Sequence, residues 1–276
     1  KGAWLTAWLK QLGAKVVGVA LDPPTEPSHF ATAHLADDMV DLRIDIRNQL
    51  DLEEAIISIQ PDFAFHLAAQ ALVRRSYENP LETWQTNVLG TLHVLEALRK
   101  LDKPCAAVII TSDKCYDNVE WVWGYRETDA MGGPDPYSAS KGAAELAIRS
   151  YIKSYFPKKT SKVRIASARA GNVIGGGDWS VDRIVPDCVK AWSTDNSVEL
   201  RNPYSTRPWQ HVLEPLSGYL SQAIALSQQQ ELHGESFNFG PQAQQSHSVL
   251  ELVQQMALHW DQVRWQDISE STAGPY

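Results

Sequence analysis

Cysteine is scarce in this chain, three among 276 residues. Cys105, Cys115 and Cys188 are odd in number and widely separated, so neither a disulfide framework nor a metal knuckle follows from them, and no metal site is expected. Positive charge is also short. The 25 Lys and Arg against 33 Asp and Glu leave a net charge of −8, which argues against nucleic acid or anionic membrane as the main partner. No apolar run is long enough to span a bilayer. The opening residues carry no signal-peptide pattern, and repeats and low-complexity tracts are absent. With 43% hydrophobic and 21% charged residues, the composition is that of a soluble globular protein, and a reducing, cytoplasmic setting is the expectation.

Two further absences concern a dinucleotide site. Such folds usually open with a strand, a Gly-rich turn and a helix. Here Gly2 alone precedes the first helical pattern, where the third glycine would stand. The chain begins at Lys1 and stops in Ala273-Gly274-Pro275-Tyr276, so both termini are expected to be cut from a longer chain. From Val16 to Leu42 there is no Lys or Arg. An adenosine 2′-phosphate would want a cation there, so NAD is favoured over NADP. Asp22 lies about where a carboxylate meets the ribose hydroxyls, although a loop Asp before Pro23 and Pro24 fits equally well. Asp45, after a short strand, is placed to accept from the adenine amino group.

What is present alternates. Helical spacing runs from Ala3 to Leu12, and Lys15 to Leu21 is short and β-branched. Short strands are expected at Asp41–Ile46, Asp62–Leu67, Cys105–Thr111 and Val163–Ala168, and helices at Leu50–Ile59, Leu81–Leu101 and Tyr137–Phe156. Alternating strands and helices imply an α/β fold, a doubly wound parallel sheet covered on both faces, Rossmann-like in its order. After Gly171 the rhythm loosens through Gly175-Gly176-Gly177 and a helix at Asp182–Trp192. A dinucleotide-binding domain over 1–171 and a smaller α/β substrate-binding lobe over 172–276 are expected, with some elements of the second returning to the first. Ligands of doubly wound sheets bind at the carboxyl edge.

Tyr137-Ser138-Ala139-Ser140-Lys141 puts a phenol and an ammonium four residues apart, on one side of a helix. A phenol ordinarily ionises near pH 10. A nearby cation lowers that value, so the pair is expected to take a proton from a hydroxyl beside a nicotinamide. A surface Tyr and Lys is the bland alternative. The motifs around the pair weigh against it: His66-Leu67-Ala68-Ala69-Gln70, Asn87-Val88-Leu89-Gly90-Thr91, Thr111-Ser112-Asp113-Lys114 and Arg169-Ala170-Gly171-Asn172-Val173.

With these motifs the chain resembles an extended short-chain dehydrogenase/reductase, specifically a nucleotide-sugar 4,6-dehydratase, over essentially its whole length. Ser112-Asp113-Lys114-Cys115-Tyr116-Asp117, Trp121-Val122-Trp123-Gly124-Tyr125-Arg126-Glu127, Gly175-Gly176-Gly177-Asp178-Trp179 and the Arg207-Pro208-Trp209-Gln210-His211 stretch resemble the CDP-glucose branch. The resemblance implies NAD held by Gly2, Asp22, Asp45 and Ile46, by the Leu67-Ala68-Ala69 backbone, and by Thr111, Tyr137, Lys141, Ala170 and Asn172. It implies catalysis by Tyr137, Lys141 and Ser112 at the sugar C4, with Asp113 as the acid of elimination. Lys114, where many relatives have Glu, is the base or an electrostatic stabiliser of the enolate. Arg207 matches the family's pyrophosphate-binding Arg. Arg183, Arg201, Asn172, Arg75, Ser76 and Tyr116 are further candidates for the nucleotide sugar. A homodimer or dimer of dimers through helices near 82–101 and 138–156, and a role in deoxysugars of a surface polysaccharide, are also implied. A 4-epimerase of the same fold and a non-catalytic NAD sensor are the competing readings.

Overall fold

The computed structural model describes residues 1–242 and 245–269. Helix α1 (Gly2–Gln11) turns Leu5, Trp8 and Leu9 to the core and stops at Gly13, whose φ of 80° suits a residue without a Cβ. Strand β1 (Val17–Ala20) pairs in parallel with β2 (Val40–Arg43). A second sheet of four parallel strands follows the order β6-β5-β4-β3, where β3 is Phe63–His66, β4 Cys105–Ile110, β5 Val163–Ala170 and β6 Ser236–Phe239. Every residue of β4 is buried. Its unbroken apolar run is what a parallel strand covered on both faces requires.

Two cores make those faces. On one, Leu52 of α2 (Gln49–Ile59), Leu95 and Leu98 of α5 (Gly90–Arg99) and Ile148 of α6 (Pro136–Tyr155) pack on Ile109 and Ile165. On the other, α1 and α8 (Leu213–Gln228) lay Leu5, Leu216 and Tyr219 on Val108, Ile110 and Ala168. Two short helices stand before α5, namely α3 (Val73–Glu78) and α4 (Pro80–Trp84). The single helix expected over 81–101 is α4, one π turn (Gln85–Leu89) and α5. The widened turn carries Asn87 inward, where its amide donates to Gln70 O at 3.0 Å and Ser140 Oγ at 2.9 Å.

Beyond Gly171 there is a smaller body with its own core. Cys188 and Trp192 of α7 (Ile184–Trp192) pack with Val198, Leu200 and Val253. Short strand pairs join Val198–Leu200 to Trp265–Asp267 and Thr206–Arg207 to His247–Ser248. Strand β6 and helix α8 return to the main sheet. Burial raises all three cysteine thiols to about 12, so each behaves as a packing residue.

Candidate active site

The catalytic candidates meet where β4 ends. Ser112 caps a 3-10 turn (Asp113–Cys115), accepting from Lys114 N at 3.2 Å and donating to Asp113 Oδ1 at 2.9 Å. Helix α6 begins beside this turn. Asp135 caps it, its carboxylate accepting from Ser138 N at 2.9 Å and from Ser138 Oγ at 2.6 Å. That cap fixes Tyr137 in the first turn and Lys141 one turn on, both buried, with Lys141 Nζ 5.9 Å from the Tyr137 ring centroid. The Tyr137 hydroxyl is hydrogen-bonded to Ser112.

The electrostatics correct one expectation. Burial holds the Tyr137 phenol above its ordinary value. The Ser112 hydrogen bond and Arg183 pull it down, while Asp113 and Asp135 push it up. Desolvation of the phenolate is thus the largest influence, and it runs against the lowering that the Tyr-Lys spacing implied. Burial lowers Lys141 itself to about 8, helped by Lys1 and opposed by Glu145 and Cys115.

Next to this pair, His66 is buried with Nε2 3.0 Å from Thr91 Oγ1, and burial together with Lys141 pushes it down to about 3. An unfolded chain takes a proton on His66 below its ordinary 6.5, and the folded chain refuses it until about 3. Stability should therefore fall as pH drops through that window, by up to roughly 1.4 kcal/mol per pH unit from this one group. Urea unfolding of the unmodified chain and of His66→Asn between these limits measures it. The variant should show a shallower loss, and equal slopes would refute the assignment.

The remaining candidates divide. The backbone at Gly171 passes between the catalytic turn and Pro208, and a Cβ there would come within 2.8 Å of Pro208 Cγ and 3.5 Å of Asp113 Oδ2. This approach brings the Arg207-Pro208 strip beside Asp113. Among the described residues, Arg207 donates to the Thr206 carbonyl at 2.8 Å and Arg183 to the Ala71 carbonyl at 3.1 Å. The buried Nε of Arg183 has no hydrogen-bond partner among the described residues, and its charge is felt at Tyr137. Arg201 is bound instead to Asp182 at 3.0 Å, a carboxylate it shares with Arg74. Arg75 is held by Glu82 at 3.0 Å. Ser76 is 0% exposed, its hydroxyl spent on the Val73 carbonyl, and so offers no surface to a ligand. The Tyr116 hydroxyl is likewise committed, donating to Asn238 Oδ1 at 2.7 Å and accepting from Arg169 Nη1 at 2.7 Å.

Around a dinucleotide, the fit is uneven. The approach to Gly2 at the start of α1 is open, and small Ala68 and Ala69 follow the carboxyl end of β3. This suits a flat ligand with an anionic bridge lying near a helix N-terminus. Hydrogen bonds from Arg47 hold the Asp45 carboxyl below its ordinary value. Ile46 and Ala170 are core residues, and only their backbone can serve a ligand. The Thr111 hydroxyl is given to Glu145. Asn172 stands after β5, its carbonyl accepting from Gln210 N at 3.0 Å. Asp22 is exposed, 3.6 Å from Arg43. That arginine lies one residue beyond the cation-free stretch and is already bound to Leu21 O at 2.6 Å and Asp41 at 2.5 Å. One group escaped sequence reasoning. Lys1 keeps an exposed surface, yet protein crowds its ammonium near Asp113 and Arg183 and pushes it down to about 8. Its place beside Gly2, where α1 begins, was the available signal.

Comparison with known proteins adds a lineage to this geometry. The family model described as GDP-mannose 4,6 dehydratase matches residues 1–275. A CDP-glucose 4,6-dehydratase of Salmonella typhimurium is 49% identical over 269 residues, 96% of this chain and 75% of that protein. A UDP-glucose 4-epimerase of Mycoplasma genitalium is 30% identical over 216 residues, 71% of this chain and 60% of that one. Among solved structures, a dTDP-glucose 4,6-dehydratase from Streptomyces venezuelae, determined with NAD bound, superposes with a TM-score of 0.78 at 20% identity, over 98% of this chain and 82% of that one. A UDP-glucuronic acid 4-epimerase from Bacillus cereus, in complex with NAD and its sugar nucleotide, gives 0.80 at 20% identity over 96% and 82%. At that identity the superpositions speak for the fold alone.

Proposed function

The chain belongs to the GDP-mannose 4,6 dehydratase family, and from that premise we propose that it dehydrates CDP-glucose to CDP-4-keto-6-deoxyglucose with NAD as cofactor. One observation supports this above the others. The turn that holds Ser112 against Tyr137 also holds Asp113 and Lys114, so oxidation and elimination groups share one site. The near-half identity to a relative named for that reaction supports the choice of CDP-glucose.

NAD, when bound, accepts the hydride from the sugar C4 and returns it to C6. The rest falls to the protein. Tyr137 takes the C4 hydroxyl proton, and Ser112, placed against the phenol, orients that oxygen. Lys141 would hold the nicotinamide ribose, and its ammonium keeps the local field positive. The C4 ketone acidifies the C5 proton, which a neutral Lys114 takes and gives back to C5 as the hydride returns to C6; a cationic Lys114 would instead stabilise the enolate while a solvent water takes and returns that proton. Asp113 protonates the hydroxyl departing from C6. One water is lost, and no net oxidation occurs.

Arg183 and Arg207 have no carboxylate partner among the described residues and bind the diphosphate in this reading. Exposed Leu81, Trp84, Leu89, Leu146 and Tyr155 on α4 to α6 form the face of a homodimer. A cytoplasmic place in deoxysugar synthesis for a surface polysaccharide completes the proposal.

Steady-state assays with CDP-, UDP- and dTDP-glucose test the substrate. Turnover should favour CDP-glucose, and preference for either of the others would overturn the choice of base. In Arg207→Ala, KM for CDP-glucose should rise by about tenfold or more, with kcat little changed, since charged hydrogen bonds are worth on this order.

A further inference from the structure

Glu145 and Arg169 form an ion pair at 2.7 Å with both side chains 2% exposed. Burying two charges is costly, and such a pair adds little net stability. What it adds here is geometry. Glu145 lies one turn beyond Lys141 on α6, and Arg169 is near the end of β5. The Glu145 carboxylate also accepts from the Thr111 hydroxyl and, at 3.0 Å, from the Ser167 hydroxyl. Arg169 Nη1 donates to the Tyr116 hydroxyl at 2.7 Å and to the Glu127 carbonyl at 3.0 Å. Thr111 immediately precedes Ser112, and Tyr116 immediately follows the 3-10 turn. The segment bearing Ser112, Asp113 and Lys114 is thus clamped at both ends onto one pair, and that pair is fastened to the helix bearing Tyr137 and Lys141.

We propose that the Glu145–Arg169 pair is the positioning unit of the site, setting Ser112, Asp113 and Lys114 in register with Tyr137 and Lys141 through Thr111 and Tyr116. The inference rests on the dehydratase reading for its kinetic assay. Displacements of about an ångström cost roughly 10²-fold in rate, so clamps that touch no substrate still show in kcat.

The pair acts on Lys141 in a second way. The charged and titratable groups facing that ammonium are Lys1 from the start of α1, His66 from β3, Cys115 from the turn, and Tyr137 and Glu145 from α6 itself. Among them Glu145 is the anion that favours the charged amine. Neutralising it should let the amine lose its proton at lower pH.

The test uses Thr111→Val, Thr111→Ser, Tyr116→Phe and Glu145→Gln in the full chain, with melting temperature, kcat and KM for CDP-glucose, and pH profiles. Thr111→Val and Tyr116→Phe should keep KM within about twofold and lose about tenfold or more in kcat, with Thr111→Ser restoring it. In Glu145→Gln the alkaline limb of kcat should move to lower pH, which a purely structural role would not cause. Unchanged kcat in both clamp variants, or losses that vanish when assayed well below the melting temperature, would overturn the proposal. If the unmodified chain does not turn over CDP-glucose, the substrate reading has failed instead. The brace is then judged by crystal structures of Tyr116→Phe and by NMR titration of Lys141 in Glu145→Gln. A displaced 112–115 turn and a lowered titration sustain it, and an unmoved turn with an unmoved titration refutes it.

Discussion

Replacing Tyr137 by Phe is expected to lower kcat by about 10²–10⁴-fold while leaving KM for CDP-glucose nearly unchanged, the range for loss of a positioned acid–base group. The ring fills the same buried space at the start of α6, and Asp135 still caps the helix through Ser138. Only the hydroxyl that meets Ser112 is lost. Melting temperature should change little. A variant with kcat within about tenfold of the unmodified enzyme would show that another group takes the C4 proton. The pH profile bears on the same step. Burial holds the phenol high, and Lys141 titrates near 8. The ammonium is present below that value and lost above it, so the rate should decline above about pH 8.

Asp113→Asn carries the second large effect and separates the two halves of the reaction. Asn keeps the shape and can still accept from Ser112 Oγ, as the carboxylate does at 2.9 Å. It cannot supply an acidic proton to a departing hydroxyl. Product formation should fall by about 10²–10⁴-fold, while oxidation at C4 continues and reduced nicotinamide accumulates on the enzyme. Equal loss of both steps would place Asp113 in orientation alone. Lys114→Arg completes the comparison, since Arg keeps the charge and gives up a usable lone pair. Loss of C5 proton exchange with solvent in that variant assigns Lys114 as base, and retention assigns it to enolate stabilisation.

Much of the fold was legible because the strands are short, apolar and parallel, and the helices between them are periodic. The buried run of β4 and the capped start of α6 place Ser112 and Tyr137 at one sheet edge, as the motif spacing implied. What was not legible depends on contacts distant in sequence. The π turn exists because Asn87 reaches Gln70 and Ser140, neither of which marks a helix break in sequence. β6 joins β5 across the 65 residues between Ala170 and Ser236, too far for a local pattern. Arg75, Ser76 and Tyr116 sit close in sequence to the site, yet Glu82, the Val73 carbonyl and Arg169 claim them. The direction of the Tyr137 shift needed its burial, which spacing alone does not reveal. Arg43 reaches Asp22 across two paired strands, so a linear scan for cations ended one residue too soon.

The central claim is that the group beside Tyr137 drives elimination and not mere inversion at C4. Incubation of the chain with CDP-glucose and NAD, followed by mass spectrometry of the sugar nucleotide, tests it most directly. A product lighter by one water, with a 4-keto group detectable in base, is the expected result. A sugar nucleotide of unchanged mass and inverted C4 would contradict it.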